Sequence, residues 1–299
     1  INSGAFDNNL RYQLNEMILQ NYNHPSIFFW GLFNEIAGDF DDILASLNDI
    51  AHCLDRDRMT VVAAHQDGSF NHITDATCWN KYYGWYYASY DEFTGFFDTW
   101  HEKYPDARIG VSEYGAGASI SHHIDPSILD TLPFSYYAND KNHKSPLGKW
   151  HPEEWQTQFH MEHLKMITER DYLWGSYIWN MFDFGSNVRN EGDRPGINDK
   201  GLVTHDRQTR KDAFYLYKAN WNKDEPVLHL CGKRYTEPRE SPAADIIVFT
   251  NQPDVQLFIN GVKTGKKVKP DEYATVTWKA VRLNKGDNVI EVKSKELTD

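Results

Sequence analysis

Short runs of consecutive apolar residues alternate with helical patterns over the first two thirds of the chain. The runs lie near residues 27–33, 60–64, 76–80, 108–112 and 173–180. Between them, apolar residues recur every three or four positions, as they do from Ile43 to Leu54. Continuous apolar strands separated by helices indicate a parallel sheet that is buried on both faces, and therefore an α/β architecture.

The pattern changes after about residue 222, where helical spacing disappears. Short strands are predicted at residues 227–230, 246–250, 255–259, 274–278 and 289–292, with the turn signals Asn260-Gly261 and Lys285-Gly286-Asp287 between them. This pattern predicts a small antiparallel β-sandwich. We therefore expect two domains, residues 1–221 and residues 222–299. The second domain ends directly after a predicted strand, so a truncated β-sandwich is compatible with the sequence.

Composition and charge exclude several classes of function. The 299 residues are 40% apolar and 14% aromatic, which supplies a large core and excludes intrinsic disorder. A net charge of −12 argues against nucleic acid as a partner, because phosphate binding needs positive charge. No apolar segment approaches the roughly 18 residues of a membrane span, and Cys53, Cys78 and Cys231 form no zinc or disulfide pattern. Ile1 does not look like a natural start, so the cell compartment stays open.

Two glutamates directly follow predicted strands. Asn34-Glu35 comes after the first apolar run, and Ser112-Glu113 comes after the fourth. Active sites of parallel barrels lie at the C-terminal ends of their strands, so we expect both carboxylates in one cavity. An ion pair with a nearby Arg or Lys is the alternative for each Glu taken singly. Two facing carboxylates suit glycoside hydrolysis, either retaining or inverting, with Asn34 donating to a sugar hydroxyl.

Several segments, in the expected order, resemble glycoside hydrolase family 2, the family of β-galactosidases, β-glucuronidases and β-mannosidases. They are residues 24–35, 80–86, 112–115, 179–184 and 195–215. The first helix and strand match the third helix and fourth strand of the family's barrel. The resemblance therefore implies strands 4–8 of a (β/α)₈ TIM barrel followed by an immunoglobulin-like β-sandwich. The expected partners are a carbohydrate substrate and the N-terminal barrel strands and β-domains of the same polypeptide, and a homo-oligomer is compatible with the family.

The resemblance also implies a retaining exo-β-glycosidase that forms a covalent glycosyl-enzyme. Glu35 matches the general acid/base and Glu113 the nucleophile, and Tyr82 is expected beside the nucleophile. Tyr83, Trp85 and Trp179 are expected to form a sugar-stacking wall with hydroxyl donors. An aromatic core is the alternative interpretation for these rings.

The substrate is predicted from one short motif and its surroundings. Asn198-x-Lys200 matches a pair that grips the sugar carboxylate in β-glucuronidases. Residues 189–196 look more like the β-galactosidases of the family, in which Lys200 would pair with Asp193 or Asp199. We therefore rank β-galactosidase first and β-glucuronidase second, ahead of any other β-glycoside. A non-catalytic carbohydrate-binding fragment is the alternative from a different functional class. Magnesium or sodium is compatible with the family, but no ligand motif maps onto the chain, and we expect no metal and no cofactor.

Overall fold

The computed structural model describes residues 4–87, 89–131, 148–239 and 241–299. The helices within these ranges are α1 (Gly4–Asn21), α2 (Asp41–Leu54), α3 (Glu92–Lys103), α4 (Glu153–Thr168) and α5 (Asp212–Trp221). The strands that alternate with them are β1 (Phe29–Asn34), β2 (Met59–Ala64), β3 (Ala76–Asn80), β4 (Arg108–Tyr114) and β5 (Leu173–Ile178). None of the described helices is long and apolar enough to cross a membrane.

Strands β1 to β5 form one parallel sheet in chain order. The central strand β3 is buried along its whole length, as expected of a strand with neighbours on both sides and covered faces. All five strands lie within two residues of their predicted bounds, so the α/β prediction is confirmed. Because the strands are parallel, their C-terminal ends lie at the same edge of the sheet.

Helices α1 and α2 pack beside β1 through one apolar cluster. Leu14 and Ile18 of α1 meet Leu44 and Leu47 of α2 and Trp30 of β1 in this cluster. The helical spacing of these side chains places them on one face, which is why both helices can bury them together. This packing anchors the strand that leads into Asn34-Glu35.

A hairpin and a second group of strands complete the chain. Strand β6 (Phe184–Gly185) pairs with β7 (Ile197–Asn198). After α5 come β8 (Leu228–Leu230), β9 (Ala243–Thr250), β10 (Val255–Ile259), β11 (Val262–Val268), β12 (Thr275–Arg282), β13 (Ile290–Ser294) and β14 (Leu297–Thr298). They form the antiparallel sheets β11-β10-β13-β14 and β12-β9-β8, which share one apolar core. The predicted β-sandwich is confirmed.

The chain forms two compact units. The first contains the described residues of 1–81, 94–114 and 170–178, and with them the parallel sheet. The second contains the described residues of 82–93, 115–169 and 179–299, and with them α4, α5 and the β-sandwich. The predicted domain boundary between residues 221 and 222 falls between α5 and β8 and stays a prediction.

Candidate active site

Glu35 directly follows β1 and adopts an unusual backbone conformation. Its φ is +50°, in the left-handed region, which costs a non-glycine residue about 1–3 kcal/mol. Its backbone N–H donates to the carbonyl oxygen of Ala63 on β2 at 2.9 Å. Asn34 and Glu35 are both exposed. An exposed carboxyl group on a strained backbone at a strand end is an arrangement typical of functional sites.

Asn80, at the end of β3, connects the two predicted catalytic segments. Its Nδ2 donates to Oδ1 of Asn34 at 3.0 Å and to Oε1 of Glu35 at 2.9 Å. Its Oδ1 accepts a hydrogen bond from Oγ of Ser112 at 2.6 Å, and it pairs with Glu113 in the sheet register. The structure thus brings Asn34, Glu35 and Glu113 to one edge of the sheet. The sequence pattern assigned no role to Asn80, whose bridging position follows only from the strand order.

Lys81 adds a buried cation to the same edge of the sheet. Its Nζ donates to the carbonyl oxygen of His65 at 2.8 Å and lies 4.1 Å from the ring centre of Phe96. Burial lowers the pKa of Lys81 to about 8, against the opposing charges of Asp67 and Glu35. The side chain therefore titrates much closer to neutrality than an exposed lysine does.

Lys200, in the second unit, is a buried cation in an aromatic environment. Its side chain is 2% exposed, and Nζ donates to Oη of Tyr86 at 2.7 Å. Nζ also lies 4.7 Å and 5.5 Å from the ring centres of Tyr86 and Trp85. Arg189 donates to the same Tyr86 oxygen at 2.9 Å and pairs with Glu191 at 2.8 Å. Two cationic groups therefore converge on one phenol oxygen.

The acids near Lys200 have other partners. Oδ2 of Asp199 lies 2.6 Å from Nδ1 of His151, and a carboxylate oxygen of Asp193 lies 3.9 Å from Nε of Arg194. Asn198 is buried, and its Oδ1 accepts a hydrogen bond from the backbone N–H of Lys200 at 3.2 Å. Within the described ranges, no carboxylate lies at salt-bridge distance from Lys200. The local pairing expected for a β-galactosidase is therefore not found there.

The predicted aromatic residues lie in the second unit and contact one another or their neighbours. The ring of Tyr82 packs edge-on against Tyr86 at 5.1 Å. Tyr82 and Trp85 are buried, whereas Tyr83 and Trp179 are partly exposed. The predicted site residues of this unit are Tyr82, Tyr83, Trp85, Trp179, Asn198 and Lys200, and those of the first unit are Asn34, Glu35 and Glu113.

A second buried lysine, Lys211, immediately precedes α5. Its Nζ donates to Oδ1 of Asp183 at 2.9 Å and to the carbonyl oxygens of Ala118 and Asp199 at 2.7 and 2.8 Å. Burial raises the pKa of Asp183 to about 6, although the charge and hydrogen bond of Lys211 lower it. An ammonium has three donors, and here each donor has an acceptor.

One group of side chains has the composition of a metal site. The ligand atoms of Asp212, His229 and Cys231 all lie within 4.8 Å of one another. Asp212, however, already binds His229 at 2.9 Å, Arg234 at 3.0 Å and the backbone N–H of Gly232 at 2.7 Å. Burial raises the pKa of the Cys231 thiol well above its usual value. With Arg234 supplying the positive charge, this donor set fits an ion-pair network better than a metal ion.

Residues 5–224 match the model for glycosyl hydrolases family 2, TIM barrel domain, and residues 243–296 match a domain of unknown function. A β-glucuronidase of Bacteroides fragilis is 49% identical over 305 residues, a match that covers 100% of this chain and 42% of that protein. Among solved structures, an FMN-binding β-glucuronidase from Facaelibacterium prausnitzii is 33% identical with a TM-score of 0.86, over 100% of this chain and 44% of that one. A putative β-galactosidase from Bacteroides fragilis is 31% identical with a TM-score of 0.85, over 98% of this chain and 43% of that one. The fold is the C-terminal part of a TIM barrel with following β-strands, and the chain spans less than half of each of these relatives.

Proposed function

Since the chain belongs to glycosyl hydrolase family 2, we propose that it carries the catalytic carboxylates and the sugar-recognition residues of a retaining β-glucuronidase. The chain spans 42% of its β-glucuronidase relative, so we expect activity in a longer polypeptide that completes the barrel. The 49% and 33% identical relatives are both named β-glucuronidases. This supports a β-glucuronide as the substrate over the β-galactoside that the sequence pattern ranks first.

The observation that carries the proposal is the environment of Lys200. Burying an ammonium without a carboxylate at salt-bridge distance is unfavourable, and within the described residues the hydrogen-bond acceptor of Lys200 Nζ is the phenol oxygen of Tyr86, with the rings of Tyr86 and Trp85 beside it. A glucuronide carries a carboxylate where a galactoside carries a neutral hydroxymethyl group. The substrate carboxylate would therefore supply the anion that Lys200 lacks, and the amide of Asn198 would add a further donor.

The carboxylates at the sheet edge would perform the bond exchange. In the first step, a carboxylate oxygen of Glu113 forms a bond to the anomeric carbon while the bond to the leaving oxygen breaks, and Glu35 donates its proton to that oxygen. In the second step, Glu35 takes a proton from water as the water displaces Glu113. Asn80 would orient Glu35 through its 2.9 Å hydrogen bond.

A substrate panel with the full-length polypeptide tests the proposal. We expect nitrophenyl β-glucuronide to be cleaved faster than the β-galactoside and the β-mannoside. Lys200→Met should lower kcat/KM for the glucuronide by about 10–100-fold, the value of a hydrogen bond to a charged group, and should leave galactoside cleavage unchanged. Lys218→Met, which removes a partly exposed cation paired with Glu225, is the matched control. A galactoside preference, or an equal loss on both substrates, would exclude the proposed specificity.

Glu113→Gln separates catalysis from simple carbohydrate binding. We expect it to abolish cleavage, because the amide cannot form the covalent intermediate. Glu35→Gln should lower the rate by about 10²–10⁴-fold, the usual contribution of a general acid. If Glu113→Gln cleaved the glucuronide as fast as the parent, the assignment of Glu113 as the nucleophile would be wrong. A parent polypeptide that binds the sugar without cleaving it would instead favour the carbohydrate-binding alternative.

A further inference from the structure

Asp199 lies between the two proposed carboxylate-binding residues and contacts a different set of groups. Its side chain is buried, and its Oδ2 lies 2.6 Å from Nδ1 of His151, which is 1% exposed. Asn198 and Lys200 are its neighbours in the chain, so the contact with His151 also fixes the backbone that carries them. The ring of Trp85 lies close to both His151 and Lys200: its centre is 4.9 Å from the centre of the His151 ring and 5.5 Å from Nζ of Lys200.

The backbone of Asp199 is held as firmly as its side chain. Its carbonyl oxygen accepts hydrogen bonds from the backbone N–H of Ala118 at 3.0 Å and from Nζ of Lys211 at 2.8 Å. Gly117 and Gly192 approach its carboxylate so closely that a Cβ atom would lie 2.4 and 2.6 Å from it. Residues from three segments of the second unit therefore pack around Asp199 and fix its position.

The charge of Asp199 has to be compensated if an anion is to bind beside it. Although burial raises the pKa of Asp199, the hydrogen bond from His151 and the charges of His151, Lys211 and Lys200 lower it, so the group is ionised. An uncompensated carboxylate one residue from Lys200 would weaken the attraction of that lysine for a substrate carboxylate. The hydrogen bond from His151 stabilises the negative charge of Asp199, so that the Asp199 carboxylate is hydrogen-bonded to His151 rather than to Lys200.

We propose that the buried Asp199–His151 pair is a specificity-determining positioning device for the carboxylate of the substrate. The pair orients the backbone that carries Asn198 and Lys200, and it prevents Asp199 from competing with the substrate for Lys200. This inference rests on the proposed β-glucuronidase function. It adds two positioning residues, neither of which needs to touch the sugar.

The test compares an aryl β-glucuronide with its methyl ester, which has the same ring without the negative charge. In the full-length polypeptide, His151→Phe should raise KM for the acid about 10-fold or more, with kcat nearly unchanged, and should leave KM for the ester unaltered. His151→Asn, whose amide nitrogen can replace Nδ1 as a donor, should restore most of the preference for the acid. His123→Phe breaks a comparably buried contact with Glu154, at 2.9 Å, and should leave the acid-to-ester ratio unchanged.

A double-mutant cycle makes the proposal specific to the charge of Asp199. Once Asp199→Asn has removed that charge, His151→Phe should change the acid-to-ester ratio much less than it does in the parent. Asp199→Asn alone should leave the ratio equal or raise it, and this variant decides the matter if His151→Phe does not fold. A lower ratio for Asp199→Asn, or equal losses on acid and ester for His151→Phe, would overturn the proposal. A parent enzyme that does not prefer the acid would instead refute the β-glucuronidase function.

Discussion

Lys200 and Lys211 are both buried in the second unit, yet their surroundings differ in one decisive respect. Nζ of Lys211 donates to a carboxylate and two carbonyl oxygens, whereas the described partners of Lys200 are one phenol oxygen and two aromatic rings. Lys211 therefore has its full set of acceptors within the protein, and Lys200 does not. Burial alone does not distinguish a structural lysine from a ligand-binding lysine. The number and kind of hydrogen-bond acceptors around the ammonium distinguish them.

Lys211→Met should have the largest effect on folding. It leaves Asp183 buried without its cation, which typically lowers the free energy of unfolding by about 3–5 kcal/mol. Urea denaturation measures the loss, and Lys218→Met on α5 is the control, with an expected change below about 1 kcal/mol. Adding Asp183→Leu should recover part of the loss. A loss below that of the control would show that Lys211 is no more structural than Lys200.

Gly117→Ala should test whether the Lys200 region is held as tightly as the Lys211 region. The added Cβ would lie 2.4 Å from Oδ1 of Asp199 and 2.8 Å from Nδ1 of His151. Overpacking of this kind costs about 1–3 kcal/mol, to be measured as a lower free energy of unfolding. Gly185→Ala is the matched control, because its Cβ would meet no atom within 4 Å. Equal stability of the two variants would mean that the loop around Asp199 yields easily.

Lys200→Met should separate the two lysines most clearly, because its expected effect on stability is small and opposite in sign. An apolar side chain replaces a buried charge that lacks an anionic partner, so the free energy of unfolding should stay equal or rise by about 1 kcal/mol. The measurement is the same urea titration. A loss of the size expected for Lys211→Met would assign Lys200 to the structural class.

Lys81 extends the comparison to the first unit through its pH dependence. Its folded pKa of about 8 lies below the unfolded value of 10.5, so the unfolded chain binds the proton more tightly between these limits. The stability of the parent should therefore rise relative to Lys81→Met as the pH increases from 8 to 10.5. With solvent screening, we expect a change of about 1 kcal/mol in the stability difference. A difference that stays constant over this range would contradict the lowered pKa.

Local sequence patterns were sufficient for the strands of the parallel sheet but not for every strand of the sandwich. Continuous apolar runs identify buried strands such as β3 without any knowledge of their neighbours. Strand β11 has no counterpart among the strands predicted from the sequence. It lies at the edge of its sheet, where lysines on both faces protect the unpaired backbone and remove the apolar pattern.

The candidate site was predictable only as far as its motifs are local. Asn198 and Lys200 were identified from their spacing, and Glu35 and Glu113 from their place after apolar runs. The bridge from Asn80 to Asn34 spans 46 residues and the contact of His151 with Asp199 spans 48, so neither is visible in a short window. The substrate ranking rested on the likeness of residues 189–196 to β-galactosidases, in which Lys200 would pair with Asp193 or Asp199. In the structure Asp199 instead contacts His151, and the 49% identical relative is a β-glucuronidase.

The left-handed backbone at Glu35 has a consequence for laboratory evolution. Glycine adopts a φ of +50° without a steric penalty, so Glu35→Gly should recover part of the strain held at this position. Under the proposed function, a screen for heat resistance alone would then enrich glycine at residue 35 and return thermostable proteins that lack the general acid/base. Selection for thermal stability would favour glycine at residue 35, whereas selection for catalytic turnover would favour glutamate.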